Sequence, residues 1–210
     1  MKNIFWICSL LCVSAAAPSQ LRADVIYSVT LDTTSLSGTE GYMAFDLLGG
    51  SPLQSNISTI SDFSSTSTLE SSSTSGDVSG SLTPGPLGLK ADQFFNEWLE
   101  GADFGSGLTT FTLDLTTSYI AASTPDSFSF FLLDSGFNPY ATSDPTGADS
   151  LFSIDLVGGV TSPQVYTSDF ATVTLTPAVS GVPEPNSVLL AGFALLAAGG
   201  YRWRRSRLHL

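Results

Sequence analysis

The stretch Leu108 to Leu115, LTTFTLDL, puts Phe111, Leu113 and Leu115 on one side of an extended chain and Thr110, Thr112 and Asp114 on the other. Successive side chains of a strand point to opposite faces, so this pattern buries one face and wets the other. The alternation recurs along the chain. Asp24 to Asp32, DVIYSVTLD, alternates Val25, Tyr27, Val29 and Leu31 with Ile26, Ser28, Thr30 and Asp32. Tyr42 to Leu48 is a second strand, ended by Gly49-Gly50-Ser51-Pro52, and Asn56 to Phe63 a third, weaker one. Ser127 to Asp134 carries Phe128, Phe130, Phe131, Leu132 and Leu133 on both faces, as expected of a central strand. Leu151 to Val157 and Phe170 to Thr176 follow. Short strands separated by Gly, Pro, Ser and Asp turns, without β-α-β alternation, predict an all-β fold. The expected architecture is an antiparallel β-sandwich, jelly-roll or immunoglobulin-like.

Two stretches leave alternatives open. Ser64 to Gly80 has the Ser, Thr and Gly composition of a linker, yet Leu69 and Val78 punctuate it as two short edge strands would. Ala91 to Leu99 fits one short helix, with Phe94, Phe95, Trp98 and Leu99 as its apolar stripe, or a strand running on to Phe104. Leu82 to Gly88, with Pro84 and Pro86, and Gly136 to Ser150 read as loops.

The two ends obey different physics. Lys2, an apolar run from Ile4 to Val13 and then small residues make a secretory signal peptide for the Sec translocon, cut after Ala23 to leave Asp24 first. A cut after Ala17 would put Pro18 just past the bond. Cys8 and Cys12 lie inside this signal, and Leu10-Leu11 before Cys12 lacks the small residue of a lipoprotein signal. At the other end come Val182-Pro183-Glu184-Pro185, an apolar run from Val188 to Tyr201, and Arg202, Arg204, Arg205 and Arg207. The prolines remove backbone donors and keep the peptide extended. With Asn186 and Ser187, either of which caps a helix, the run reaches about 16 residues, or ~24 Å, slightly short of a bilayer core. The arginines favour a cytoplasmic end for this transmembrane helix.

Pro-Glu-Pro, a short apolar helix and a terminal arginine cluster, in that order, resemble the PEP-CTERM sorting signal of Gram-negative bacteria. The resemblance implies recognition by an exosortase, an integral-membrane transpeptidase-like protein. It implies cleavage near Pro-Glu-Pro and transfer to the cell surface or an exopolysaccharide matrix. The organisation is then residues 1–23 as signal peptide, 24–181 as body and 182–210 as sorting signal. The body in turn resembles an uncharacterised type recurrent on PEP-CTERM proteins, through YSVTLDTTSLSG, GDVSGSL, FNEWLEGADFGSGLTTFTLDL, SFSFFLLD and DPTGADSLFSIDL. That likeness implies no activity.

Without its targeting ends the chain has no cysteine, so no disulfide can hold the body and its core must. Its charge is one-sided: eighteen acidic residues face Lys90 alone, a net of −17. Such a field repels nucleic acid and anionic lipid and suits a hydrated, secreted setting.

The chemistry available is narrow. The one histidine, His209, lies beyond the arginines, so the body offers no Ser–His–Asp or Cys–His system and no histidine-based zinc or iron site. No glycine-rich phosphate loop precedes a helix. Glu97 and Glu100 would share a helix face, but neighbours on one helix do not flank a substrate as a glycosidase requires. Asp144 and Asp149, with Asp134 upstream, could offer oxygens to Ca²⁺, although turns also select Asp, Pro and Gly. Trp98, Tyr119, Tyr140 and Tyr166 could stack on sugar rings if exposed. The expectation is a structural or adhesive, non-enzymatic protein of the cell surface or biofilm matrix. A carbohydrate-binding module and, more remotely, a secreted hydrolase are its alternatives.

Overall fold

The computed structural model describes residues 23–51, 54–118, 123–157 and 162–178. The expected signal peptide, apart from its last residue Ala23, lies outside them, as do the Pro-Glu-Pro motif, the apolar run, the arginine cluster and Tyr119. Among the described residues no helix is long and apolar enough to cross a membrane.

Twelve strands run through the described residues: β1 Ala23–Asp32, β2 Glu40–Leu48, β3 Ile57–Ser65, β4 Thr68–Ser75, β5 Val78–Gly80, β6 Leu87–Lys90, β7 Phe95–Asp103, β8 Leu108–Thr117, β9 Asp126–Asp134, β10 Phe152–Leu156, β11 Gln164–Val165 and β12 Thr172–Ala178. One 3₁₀ turn, Thr34–Leu36, stands apart from them. The strands form two six-stranded antiparallel sheets, ordered β12-β1-β8-β3-β6-β5 and β11-β10-β9-β2-β7-β4. The pairs β1/β8, β2/β7 and β3/β6 are nested as in a long hairpin folded over on itself. That nesting is the jelly-roll arrangement, here widened by β12 on the first sheet and β9 to β11 on the second.

The alternation read from the sequence decides the faces. Tyr27, Val29 and Leu31 of β1 and Phe111, Leu113 and Leu115 of β8 are buried toward the second sheet. That sheet answers with Met43, Phe45, Leu47, Phe128, Phe130 and Leu132. The sheets meet through rings: Phe111 lies 5.5 Å from Phe45 and 5.9 Å from Phe130, and Phe130 stacks on Phe152 at 5.6 Å. In β3 an extra residue, Asp62 at φ 52°, shifts the register against β8 between Ser61 and Ser64. The bulge turns Phe63 inward onto Phe111, at 6.4 Å, where strict alternation would have put it in water.

Two open alternatives are settled and one expectation changes. Phe95–Asp103 is a strand rather than part of a helix, so Phe94 is left in the turn before it, 77% exposed. The loop expected over Leu82 to Gly88 stops at Pro86, because Leu87 and Leu89 are wholly buried and pair with β3. The polar run after Ser64 is ordered as the edge strands β4 and β5, which lie in different sheets and are joined through Gly76 and Asp77. Gly76 turns this corner at φ 77°, and a Cβ there would run into the Phe95 carbonyl and the Asn96 side chain.

The aromatic contact makes a direct prediction. Phe111→Ala should cost about 3–5 kcal/mol in denaturant unfolding, as for a buried ring. Leu108→Ala, half exposed on the same strand, should stay within ~0.5 kcal/mol. Equal costs at the two positions would contradict the packing described.

Candidate functional site

The strand state of 95–103 decides where the acidic side chains of β7 go. Glu97 and Glu100, expected on one helix face, fall on opposite faces of the sheet. Glu100 turns inward, is 5% exposed, and accepts a hydrogen bond from the Trp98 indole nitrogen at 2.9 Å. Burial pushes its carboxyl up, and the Trp98 bond partly offsets this.

Glu97 faces outward and is paired in register with Asp46 of β2, whose other neighbour is Ser129 of β9. Directly opposed residues of an antiparallel pair have Cβ atoms about 4.5–5.5 Å apart, and like charges there repel. Asp46 is half-buried and its Oδ1 has no hydrogen-bond partner among the described residues. Desolvation first, and the Glu97 charge second, push Asp46 up to about 7. Desolvation also raises Glu97. Below about pH 7 the pair therefore holds a proton on Asp46. The strand alternative for this stretch was the only sequence signal of the pair, because it alone sends Glu97 to the face that Asp46 occupies.

The pair can store a proton, but its geometry is not that of a hydrolase. Side chains from adjacent strands of one face project side by side, whereas an acid and a nucleophile must approach a glycosidic bond from different sides.

The calcium candidates are spent on their own turns. Asp144, 8% exposed, accepts through Oδ1 from the Thr146 nitrogen and hydroxyl at 2.9 and 2.7 Å. Its Oδ2 accepts from the Ser150 nitrogen and hydroxyl at 3.2 and 2.8 Å. Burial would raise its pKa, but the Thr146 and Ser150 hydrogen bonds outweigh burial and hold it below the usual range. Asp149, at φ 60°, accepts from the Thr142 nitrogen at 3.0 Å. Asp134 closes a separate turn, accepting from the Gly136 and Asn138 nitrogens. Among the described residues no three His, Cys, Asp or Glu side chains gather as a metal site.

The aromatic candidates are dispersed as well. Trp98 is buried, half-buried Tyr140 packs on Phe170 at 4.8 Å, and the Tyr166 hydroxyl lies 3.2 Å from that of Ser153.

A buried polar network cinches the end of the sandwich where β1 starts and β12 stops. Asp126, wholly buried, accepts from the Gly50 nitrogen and the Asn56 amide, each at 2.8 Å. Asn56 in turn donates to the Ser118 carbonyl at 2.9 Å and accepts from its nitrogen at 2.6 Å. Both chain ends of the body leave from here, since Ile26 pairs with Ala178 and Ala23 with Thr117.

This architecture defines the chain's class: an all-β sandwich whose last described strand ends two residues before a C-terminal signal. Residues 181–206 are a PEP-CTERM protein-sorting motif. The match takes in Val182, Pro183, Glu184, Pro185, the apolar run, Arg202, Arg204 and Arg205; Arg207 falls just beyond it. No curated protein and no solved structure matches the chain. The motif implies an exported protein processed by an exosortase.

The carboxylate pair sets a pH dependence. The folded pKa of Asp46 lies above its unfolded value, so the folded state binds the extra proton. Stability from this group is greatest below about pH 4 and falls as pH rises toward about 7, by on the order of 2–4 kcal/mol. Asp46→Asn should flatten that slope and raise the melting temperature at pH 8. An unchanged slope between pH 4 and pH 8 would contradict the assignment.

Proposed function

We propose that the chain is exported through the Sec translocon with cleavage between Ala23 and Asp24. It is then held in the inner membrane by the Val188–Tyr201 run, with Arg202, Arg204, Arg205 and Arg207 on the cytoplasmic side. An exosortase cuts it near Pro183-Glu184-Pro185 and passes the body to the cell surface or the exopolysaccharide matrix. The observation that carries this reading is the sorting motif at 181–206, placed directly after the last strand. The body's role is structural or adhesive rather than enzymatic. The absence of histidine and cysteine from the body and the side-by-side placement of the opposed carboxylates Asp46 and Glu97, and of Glu40 and Asp103, support that part of the reading.

A carbohydrate-binding role is a second reading, and one feature favours it. The outer face of the first sheet presents hydroxyls in cross-strand rows: Thr176–Ser28–Thr112–Ser61 and Thr174–Thr30–Thr110–Ser64. A surface of closely spaced hydroxyl donors and acceptors suits a neutral or hydrated polysaccharide better than it suits an anionic one, given the −17 charge.

Glu184 is the one charge between two rigid residues. Glu184→Ala, or deletion of Pro183 to Pro185, should leave full-length protein in the inner membrane. The unmodified chain should reach the surface shortened, and deleting the exosortase should copy the variant. Surface protein that still carries Arg202 to Leu210 would show a permanent anchor and end the sorting reading.

A further inference from the structure

The strand directions bring both ends of the body to one end of the first sheet. β1 and β12 are antiparallel neighbours, so Asp24, the first residue after signal cleavage, and Ala178, the last residue before the tail, leave from one end of the first sheet. In the export intermediate, then, the start of the body and its tether to the membrane lie at the same end. From Ala178 to Val188 the chain spans ten steps, at most ~33 Å when fully extended. A ten-residue strand such as β1 is itself ~33 Å long. The opposite end of the sandwich could reach the bilayer only if the whole linker doubled back along the body, and the two prolines oppose such a turn.

The near end also carries apolar side chains without ring partners among the described residues. Phe94, in the turn between β6 and β7, is the most exposed large apolar residue described, at 77%. Phe95 and Val157, at the start of β7 and just past β10, are 37% and 41% exposed and lie at this same end. The exposed rings of the far end differ: Phe137 stacks on Tyr42 at 4.5 Å and Phe170 packs on Tyr140 at 4.8 Å. Lys90, the one lysine or arginine among the described residues, is also at the near end, paired with Asp92. Asp24, Asp77 and Asp155 stand there too, so any insertion must be shallow. The network of Asp126, Asn56 and Ser118 holds this end together beneath those side chains.

We propose that Phe94, Phe95 and Val157 enter the interfacial layer of the inner-membrane bilayer while the tail is uncut, seating this end of the body on the lipid. Large apolar side chains on a rigid end, close to a covalent membrane tether, need little intrinsic affinity to bind, because the tether keeps their local concentration at the lipid high. Cleavage of the tail removes that advantage and frees an acidic body from the membrane. The inference rests on the proposed membrane tail.

The test uses the chain with its signal removed and its tail intact, so that no native cysteine remains. Phe94→Cys is labelled with an environment-sensitive fluorophore, and Leu108→Cys, at the far end, serves as the matched position. Each protein is reconstituted into zwitterionic vesicles of phosphatidylethanolamine and phosphatidylcholine containing a headgroup-region spin-labelled lipid. Both proteins should float with the vesicles, and quenching should be several-fold stronger at position 94 than at 108. Flotation with equal quenching at the two positions, or none at 94, overturns the seating of this end while leaving the membrane tail intact. Failure of both proteins to float overturns the tail assignment and this inference with it.

Discussion

Contact between the phenylalanine rings of the two sheets holds this body together. A cysteine-free exported domain has no covalent staple, so facing side chains must supply the cohesion. Phe111 from the first sheet and Phe45, Phe130 and Phe152 from the second form one continuous seam. The bulge at Asp62, which costs a left-handed backbone, makes sense only against that seam, because it brings Phe63 to the same cluster. Strand order follows from the same constraint: the nested pairs β1/β8, β2/β7 and β3/β6 place each apolar face opposite another.

Legibility in the sequence tracked how strongly each segment was amphipathic. β1 and β8 were readable because their inward residues are large and their outward ones mostly small or polar. The double-sided apolar pattern of β9 marks it correctly as interior, between β10 and β2. β6 escaped because Leu87-Gly88-Leu89-Lys90 is short and follows two prolines; only pairing with β3 reveals it as a strand. β4 has almost no apolar signal, and its order comes from the ladder with β7 rather than from its own composition. Residues 94–99 are ambiguous in principle, since adjacent aromatic residues satisfy both periods, and cross-strand pairing with β2 settles the matter.

The carboxylates show the same limit. Whether two acids meet depends on register, which composition does not encode. Glu97 and Glu100 are close in sequence and point apart, whereas Asp46 and Glu97 are far apart in sequence and directly opposed. Asp144 and Asp149 illustrate the reverse case, in which a turn's own donors occupy oxygens that the sequence alone left open to a cation. The C-terminal signal needed no fold at all, because order, apolar length and terminal charge can be read along a line, and the match at 181–206 agrees with that reading.

The functional account joins these parts: a self-sufficient β body, made without disulfides, whose two ends leave side by side and whose tail carries the address. Its central claim is that the address is read and removed. The most direct measurement is the intact mass of the protein recovered from the cell surface. The account predicts a single species beginning at Asp24 and ending near Pro183-Glu184-Pro185, without the apolar run or the arginines. A species that begins at Met1, or that retains Arg202 to Leu210, would contradict it.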